Sequence, residues 1–135
     1  MRDSPAEWRQ AGHWPQLSFD VSVSTGEIGD LVGRIREVMA ARWPDLFTIY
    51  FGHVADGNLH LAVAMSGHSI PELEIEQVVY SVSARRRGSI SAEHGIGSLK
   101  REFLHYSRSP EEIALMRVIK NAMDPHGILN PGKIF

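Results

Sequence analysis

Two histidines flank a turn signal near the middle of the chain, and their type and spacing suit a metal ion. His53 and His60 lie on either side of Asp56-Gly57, a dipeptide typical of a two-residue type I′ turn between antiparallel strands. With this dipeptide at the turn, the register predicts His53 directly opposite His60, with Cβ atoms about 4.5–5.5 Å apart. Two imidazoles at that distance can bind one cation, although two solvated surface histidines are the alternative interpretation.

A second cluster, at residues 89–97, places a carboxylate next to an imidazole. Glu93 can add an oxygen ligand to the two histidines, and such a set leaves coordination positions open for water or substrate. His94 follows directly, and an imidazole, which ordinarily titrates near neutral pH, can accept or donate a proton. Together the two clusters predict metal-assisted acid–base chemistry.

The elements that position these clusters follow from periodicity and capping signals. Residues 1–16 have no clear period and are expected to be an irregular lead-in to a domain at 17–135. Alternating apolar residues predict a strand at 17–23, and Ser24-x-x-Glu27 predicts the start of a helix that ends at Trp43-Pro44. The histidine hairpin comes next.

A helix, a short strand and a last helix are predicted after the hairpin. Ser69-x-x-Glu72 predicts a second helix that ends at residues 85–88, and a short strand is expected at 88–91. A last helix runs from a cap at Ser109 through Met123. The order β-α-β-β-α-β plus a terminal helix predicts a ferredoxin-like α+β sandwich, with both helices on one face of an antiparallel sheet.

Alternation along the hairpin assigns its residues to two faces of the sheet. The helix-covered face is predicted to carry Tyr50, Leu59, Leu61, Val63 and Met65. The opposite face carries both histidines together with Ile49, Phe51, Ala62 and Ala64. Because an apolar sheet face without helices is unusual for a monomer, it predicts a partner surface or a homodimer contact.

Length, charge and composition limit the class of protein. With 135 residues, the chain fits one domain with its own core. Its 14 basic and 16 acidic side chains give a net charge of −2, which offers no signature of nucleic-acid or membrane-surface binding. There is no cysteine, and no apolar run approaches the roughly 20 residues that span a bilayer. A cytoplasmic protein without a membrane span is expected.

Three ordered motifs carry a resemblance to a known family. They are GHVADGNLH at 52–60, GSISAEHGIG at 88–97 and DPHGILNPGKI at 124–134. From about Leu17 to its last residue, the chain resembles the C-terminal domain of the FAD-linked oxidases, which include D-lactate, glycolate-type and D-2-hydroxyglutarate dehydrogenases. The chain departs from that family's pattern at Ala55, Ala62 and Ser18, which thins the expected substrate contacts.

The resemblance implies roles for particular residues. His53, His60 and Glu93 would be ligands of a divalent metal. Two imidazoles and a carboxylate favour zinc, with manganese or iron as alternatives. His94 would be the acid/base residue beside the flavin. Asn130 would approach the flavin, although a turn-forming asparagine before proline is the alternative interpretation.

The resemblance also implies the reaction and the partners. Hydride would pass from a small D-2-hydroxy acid to FAD, which would lie between this domain and an FAD-binding domain or subunit. Gly95-x-Gly97 is too short for a dinucleotide fingerprint, so the chain is not expected to be active alone. A separate subunit that works with a flavoprotein, or a truncated, non-catalytic remnant that self-associates, are the alternatives.

Overall fold

A three-stranded antiparallel sheet lies at the centre of the fold. The computed structural model describes residues 17–65 and 70–135, and the predicted lead-in and the Ser69 cap fall outside these ranges. The strands are β1 (Leu17–Ser22), β2 (Leu46–Phe51) and β3 (Asn58–Met65), in the order β1-β3-β2. The α-helices of the described residues are α1 (Ile28–Arg42), α2 (Glu72–Ala84) and α3 (Pro110–Met123). None of them is long and apolar enough to cross a membrane.

The core forms between one sheet face and the first two helices. Residues at helical spacing on α1 and α2 are buried, and they pack on the inward residues of β1 and β3. The main members of this core are Phe19, Val21, Leu31, Ile35, Leu59, Leu61, Val63, Ile75, Val79 and Val82. The predicted α+β class, with helices packed on an antiparallel sheet, is therefore confirmed.

The predicted fourth strand is reduced to a single bridge. Ser89 pairs antiparallel with Ser22, which puts it beside β1, where a ferredoxin-like sheet would place its last strand. The pairing ends there because serine side chains take over the backbone groups. The Ser89 hydroxyl donates to the Ser91 carbonyl and accepts from the Ser91 N–H.

The hairpin register also differs from the prediction. Phe51, and not His53, lies opposite His60, and residues 52–57 form a longer connection that includes a 3₁₀ turn at Val54–Asp56. Gly57 is left-handed, with φ +71°, and its carbonyl accepts from Val23 N at 3.0 Å, so the connection docks on the end of β1. The register shift is an even number of residues, so every hairpin side chain keeps its predicted face.

The two helix-start signals that can be compared behave differently. At Ser109 the capping box is formed, because Ser109 N donates to Glu112 Oε2 at 2.7 Å and Glu112 N donates to Ser109 Oγ at 3.2 Å. The Ser24 hydroxyl instead donates to the Glu27 carboxylate, a 3₁₀ turn occupies Thr25–Glu27, and α1 begins one residue later. A further 3₁₀ segment at Arg101–Tyr106 was not predicted.

Candidate metal centre

The three residues predicted as metal ligands converge in the structure. His53, His60 and Glu93 each offer one ligand atom, and these atoms all lie within 4.8 Å of one another. Glu93 Oε1 lies 3.9 Å from His53 Nε2 and 3.6 Å from His60 Nε2. Two imidazole nitrogens and one carboxylate oxygen suit zinc and leave a coordination position for another ligand. The donor set therefore fits a divalent cation.

Each ligand comes from a different kind of element. His60 lies on β3, largely buried, with its ring stacked 5.2 Å from that of Phe51. His53 is exposed and precedes the 3₁₀ turn, and the curl of that connection brings its ring to 6.3 Å from the His60 ring. Glu93 belongs to the loop after α2. The histidines therefore meet even though they are not paired in the ladder.

Asn58 contacts two of the three ligands. Its Nδ2 donates to Glu93 Oε1 and lies 3.5 Å from His60 Nε2. The side chain is buried, and its Oδ1 has no hydrogen-bond partner among the described residues. Asn58 was not predicted as a site residue, although its position two residues before His60 on one strand puts both on the same face.

Asp20 lies beneath the Glu93 loop and was not singled out from the sequence. It is 1% exposed on β1, and its Oδ2 accepts from the backbone N–H groups of Glu93 and His94, both at 2.9 Å. Burial raises the pKa of this carboxyl, but the N–H groups of His94 and Glu93 and the charge of Lys100 together hold the pKa below its usual value. No local pattern reveals this residue.

His94 lies beside the ligand cluster. Its side chain is 68% exposed, and its ring stacks on that of His60 with centroids 6.1 Å apart. His94 Nδ1 is 3.6 Å from Asp20 Oδ2, which is beyond hydrogen-bonding distance. The imidazole is therefore close to the cluster and open to a ligand from solvent.

Asn130 is in another part of the molecule. It has a left-handed backbone, with φ +47°, and lines a groove between α3 and the C-terminal segment. The groove contains none of the three candidate ligands; its other lining residues are Arg117, Lys120, Asn121, Gly132, Lys133 and Phe135. A backbone hydrogen bond of 2.9 Å from Ile134 N to the Gly97 carbonyl ties this segment to the site loop. The flavin contact of Asn130 stays a prediction.

The glycines of the site loop do not form a phosphate cradle. Gly95 and Gly97 both have positive φ, but the helical segment that follows is the 3₁₀ turn at Arg101–Tyr106. A pyrophosphate site of the Rossmann type needs such a loop at the start of an α-helix. Gly95 and Gly97 therefore do not form a pyrophosphate site of this type.

The histidine side of the sheet is less open than predicted. Ala62 and Ala64 are buried, and Phe51 on β2 is 50% exposed. Ser18 is exposed and lies opposite Ala62 in the ladder. The apolar surface on this side is thus concentrated along β2.

The chain is similar to known proteins over most of its length. The chain matches the family described as FAD linked oxidases, C-terminal domain, over residues 2–134. It is 39% identical over 130 residues to a D-2-hydroxyglutarate dehydrogenase of Stutzerimonas stutzeri, covering 91% of this chain and 28% of that protein. It is 43% identical over 118 residues to a mitochondrial D-2-hydroxyglutarate dehydrogenase of Arabidopsis thaliana, covering 86% of this chain and 20% of the relative. The bovine mitochondrial enzyme of that name is 42% identical, with 86% of this chain and 21% of the relative covered.

The chain belongs to the family of FAD-linked oxidase C-terminal domains. Within that family, it is a domain of the type found in D-2-hydroxyglutarate dehydrogenase-like proteins. It spans between about a fifth and about a quarter of the length of these relatives.

Proposed function

We propose that this domain is the metal- and substrate-binding part of an FAD-dependent dehydrogenase of D-2-hydroxy acids. The observation that carries the proposal is the convergence, within 4.8 Å, of the hairpin residues His53 and His60 with Glu93 from a later loop. Family membership supports the redox class, and the names of the relatives support a 2-hydroxy dicarboxylic acid as substrate.

The ligand set has a defined task in this reaction. His53 Nε2, His60 Nε2 and Glu93 Oε1 would hold a divalent cation, with zinc expected. When bound, such a cation holds the substrate carboxylate and lowers the pKa of the adjacent hydroxyl. The Asn58 amide donates to Glu93 Oε1 and fixes the orientation of that carboxylate.

His94 is the candidate base. An exposed imidazole 6.1 Å from the His60 ring can accept the hydroxyl proton of a substrate held at the cluster. The hydride that leaves the substrate carbon needs an acceptor, which would be the flavin of an FAD-binding domain or subunit, because the chain belongs to the FAD-linked oxidase C-terminal domains. This chain binds and orients the acid and takes its proton.

The exposed β2 edge favours a second possibility for the same fold. Phe51 lies next to His60 and is 50% exposed, which supports a contact with the FAD-binding partner or, in a non-catalytic chain, with a second copy. Light scattering on the wild type and Phe51→Lys distinguishes these cases. A dimer that the lysine dissociates favours self-association, and a monomer in both would mean that Phe51 does not mark a self-association surface.

Metal analysis tests the assignment of ligands. We expect one equivalent of zinc in the wild type after incubation and dialysis, and little in His53→Ala or His60→Ala. His105→Ala is the matched control, since His105 is an exposed histidine whose ring contacts its own 3₁₀ segment. Equal metal content in all four proteins would remove the site.

Absorbance and turnover test the division of labour between domains. The chain alone is expected to purify without flavin colour and to leave 2-hydroxy acids unchanged. A candidate FAD-binding protein added in trans should restore flavin reduction by a D-2-hydroxy acid. A stoichiometric flavin spectrum in the isolated chain would contradict the proposal.

A further inference from the structure

A buried carboxylate joins the sheet to the loop that carries Glu93 and His94. Asp20 lies on β1 directly opposite His60 in the ladder. Its Oδ2 accepts from two successive backbone N–H groups, those of Glu93 and His94, at 2.9 Å each. One oxygen atom therefore fixes the main chain at both Glu93 and His94 relative to β1 and to β3, the strand that carries His60.

Beyond Asp20, the loop is held at a few separate points. Residues 91–97 form neither helix nor strand, and Glu93 and His94 are themselves exposed. Asn58 also holds the Glu93 side chain, and Ile134 N donates to the Gly97 carbonyl at the far end of the loop. Between these points, several hydrogen bonds lead to Asp20 or stay within the loop. The Asp20 carbonyl accepts from Ala92 N at 3.1 Å, and the Ser91 hydroxyl lies 2.8 Å from the Gly95 carbonyl and 3.3 Å from Asp20 Oδ2.

The buried charge of Asp20 is balanced from one side. Lys100 Nζ lies 3.9 Å from Asp20 Oδ2 and donates to the Ser91 hydroxyl at 3.0 Å, so it reaches both the carboxylate and the loop. A carboxylate out of water needs such compensation, and its hydrogen bonds to backbone N–H groups are stronger than those between neutral groups. We call this arrangement an anchor: a buried carboxylate that accepts from two backbone N–H groups and lies near a lysine.

We propose that Asp20 is a positioning residue of the metal site, which holds the Glu93 carboxylate toward His53 and His60. This inference rests on the proposed function, because it assumes that the three residues bind a cation. Asp20 acts through the Glu93 backbone and not as a ligand. Supports of this kind typically contribute about 10–100-fold to metal affinity.

Zinc affinity by chelator competition gives the first test. Asp20→Ala should weaken zinc binding about 10–100-fold. Asp20→Asn should recover part of the loss, because its amide oxygen can still accept from the N–H groups. Asp124→Ala is the matched control, since Asp124 is also buried, also accepts from two backbone N–H groups and also pairs with a lysine. It should leave the zinc affinity within about twofold of the wild type, since it contacts none of the ligands.

Two further readouts separate positioning from general destabilisation. In Asp20→Asn loaded with cobalt, the visible d–d bands should change from those of the wild type, while Asp124→Asn should reproduce them. In metal-free protein, amide exchange at Glu93 and His94 should be faster in Asp20→Ala than in Asp124→Ala.

The outcomes distinguish this inference from the proposed function. Faster exchange at Glu93 and His94 with unchanged zinc affinity would overturn the positioning role and leave Asp20 a structural residue. An equal loss of affinity in the Asp20 and Asp124 variants would overturn it as well. If His53→Ala binds zinc as tightly as the wild type, the proposed function itself is overturned. The exchange rates would then decide whether Asp20 holds the loop.

Discussion

Asp20 and Asp124 each hold a segment of backbone with the same kinds of hydrogen bonds, but over different separations in the sequence. Each is a buried aspartate that accepts from two backbone N–H groups and lies near one lysine, Lys100 or Lys120. Asp20 reaches residues 73 and 74 positions away, whereas Asp124 reaches residues 4 and 5 positions away. The long-range anchor lies under the candidate metal centre, and the local one ends α3.

The difference also appears in solvent access. The Lys100 side chain is 14% exposed and that of Lys120 is 33% exposed. If the C-terminal turn loses its carboxylate, water can reach the lysine and the backbone groups. Lys100 and Asp20 have less access to water, so the same loss leaves polar groups there buried and unpaired. We therefore expect the two regions to respond unequally to equivalent changes.

The largest expected effect is on catalysis in the complex with an FAD-binding protein. His94→Gln should lower the rate of flavin reduction by about 10²–10⁴-fold, the usual contribution of a general base, and leave the zinc content intact. His126→Gln, an exposed histidine in the Asp124 turn, is the matched control and should not change the rate.

A variant of the neighbouring Glu93 tests the division of roles between ligand and base. Glu93→Gln should lower both zinc content and rate, since its carboxylate oxygen lies among the ligand atoms. If His94→Gln also empties the site, His94 is a ligand and the assigned roles are wrong. A rate untouched by His94→Gln would place the proton acceptor elsewhere.

Stability should separate the two anchors next. Asp20→Ala leaves two backbone N–H groups without their acceptor and Lys100 without the nearby carboxylate. We expect the free energy of unfolding to fall by about 3–5 kcal/mol, as when one partner of a buried ion pair is removed. Asp124→Ala should cost less, because its surroundings can rehydrate. Urea unfolding of the metal-free proteins measures both, and equal losses would mean that the range of the contacts does not matter.

The same distinction explains what the sequence revealed. The Ser109 capping box depends on residues three positions apart, and the end of α3 at Asp124-Pro125 is equally local. Both were predicted and both are confirmed. The predicted hairpin register was wrong, because the connection that contains Gly57 is held by a hydrogen bond from Val23 N, at the end of β1.

The candidate site divides in the same way. His53, His60 and Glu93 could be grouped from motifs, because their residue types indicate metal binding. Asn58 and Asp20 were missed, since an asparagine near a glycine suggests a turn and an aspartate on a strand suggests a solvated face. Their importance comes from contacts across 35 and 73 positions, and no local signal carries such contacts.

Two left-handed glycines extend the comparison to the backbone. A Cβ at Gly57 would lie 2.1 Å from the Val23 carbonyl oxygen, whereas a Cβ at Gly127, in the Asp124 turn, would meet nothing within 4 Å. Gly127→Ala should cost about 1 kcal/mol for its left-handed backbone. Gly57→Ala should cost about 2–3 kcal/mol, because the strand end must also move. Thermal unfolding compares them, and similar losses would mean that the hairpin connection is not docked on β1.

The smallest expected effect is on the pH dependence of stability. Hydrogen bonds and lysine charges lower the pKa of both Asp20 and Asp124 in the folded state, against the opposing effect of burial. A lowered pKa means that the folded state binds the proton less well than the unfolded state, in which aspartate titrates near 3.9. Each group therefore contributes stability that is fully present above about pH 4–5 and is lost as the pH falls through its folded pKa.

Asparagine variants isolate these contributions. The stability difference between wild type and Asp20→Asn should shrink as the pH falls from about 6 to 3, because the protonated wild-type carboxyl then resembles the amide. Asp124→Asn should show the same trend, since the hydrogen bond from Lys120 is the main cause of the lowered pKa of Asp124. Urea midpoints of the metal-free proteins across this range give the measurement. A difference that stays constant with pH at Asp20 but shrinks at Asp124 would mean that Asp20 holds its loop by geometry alone, without its charge.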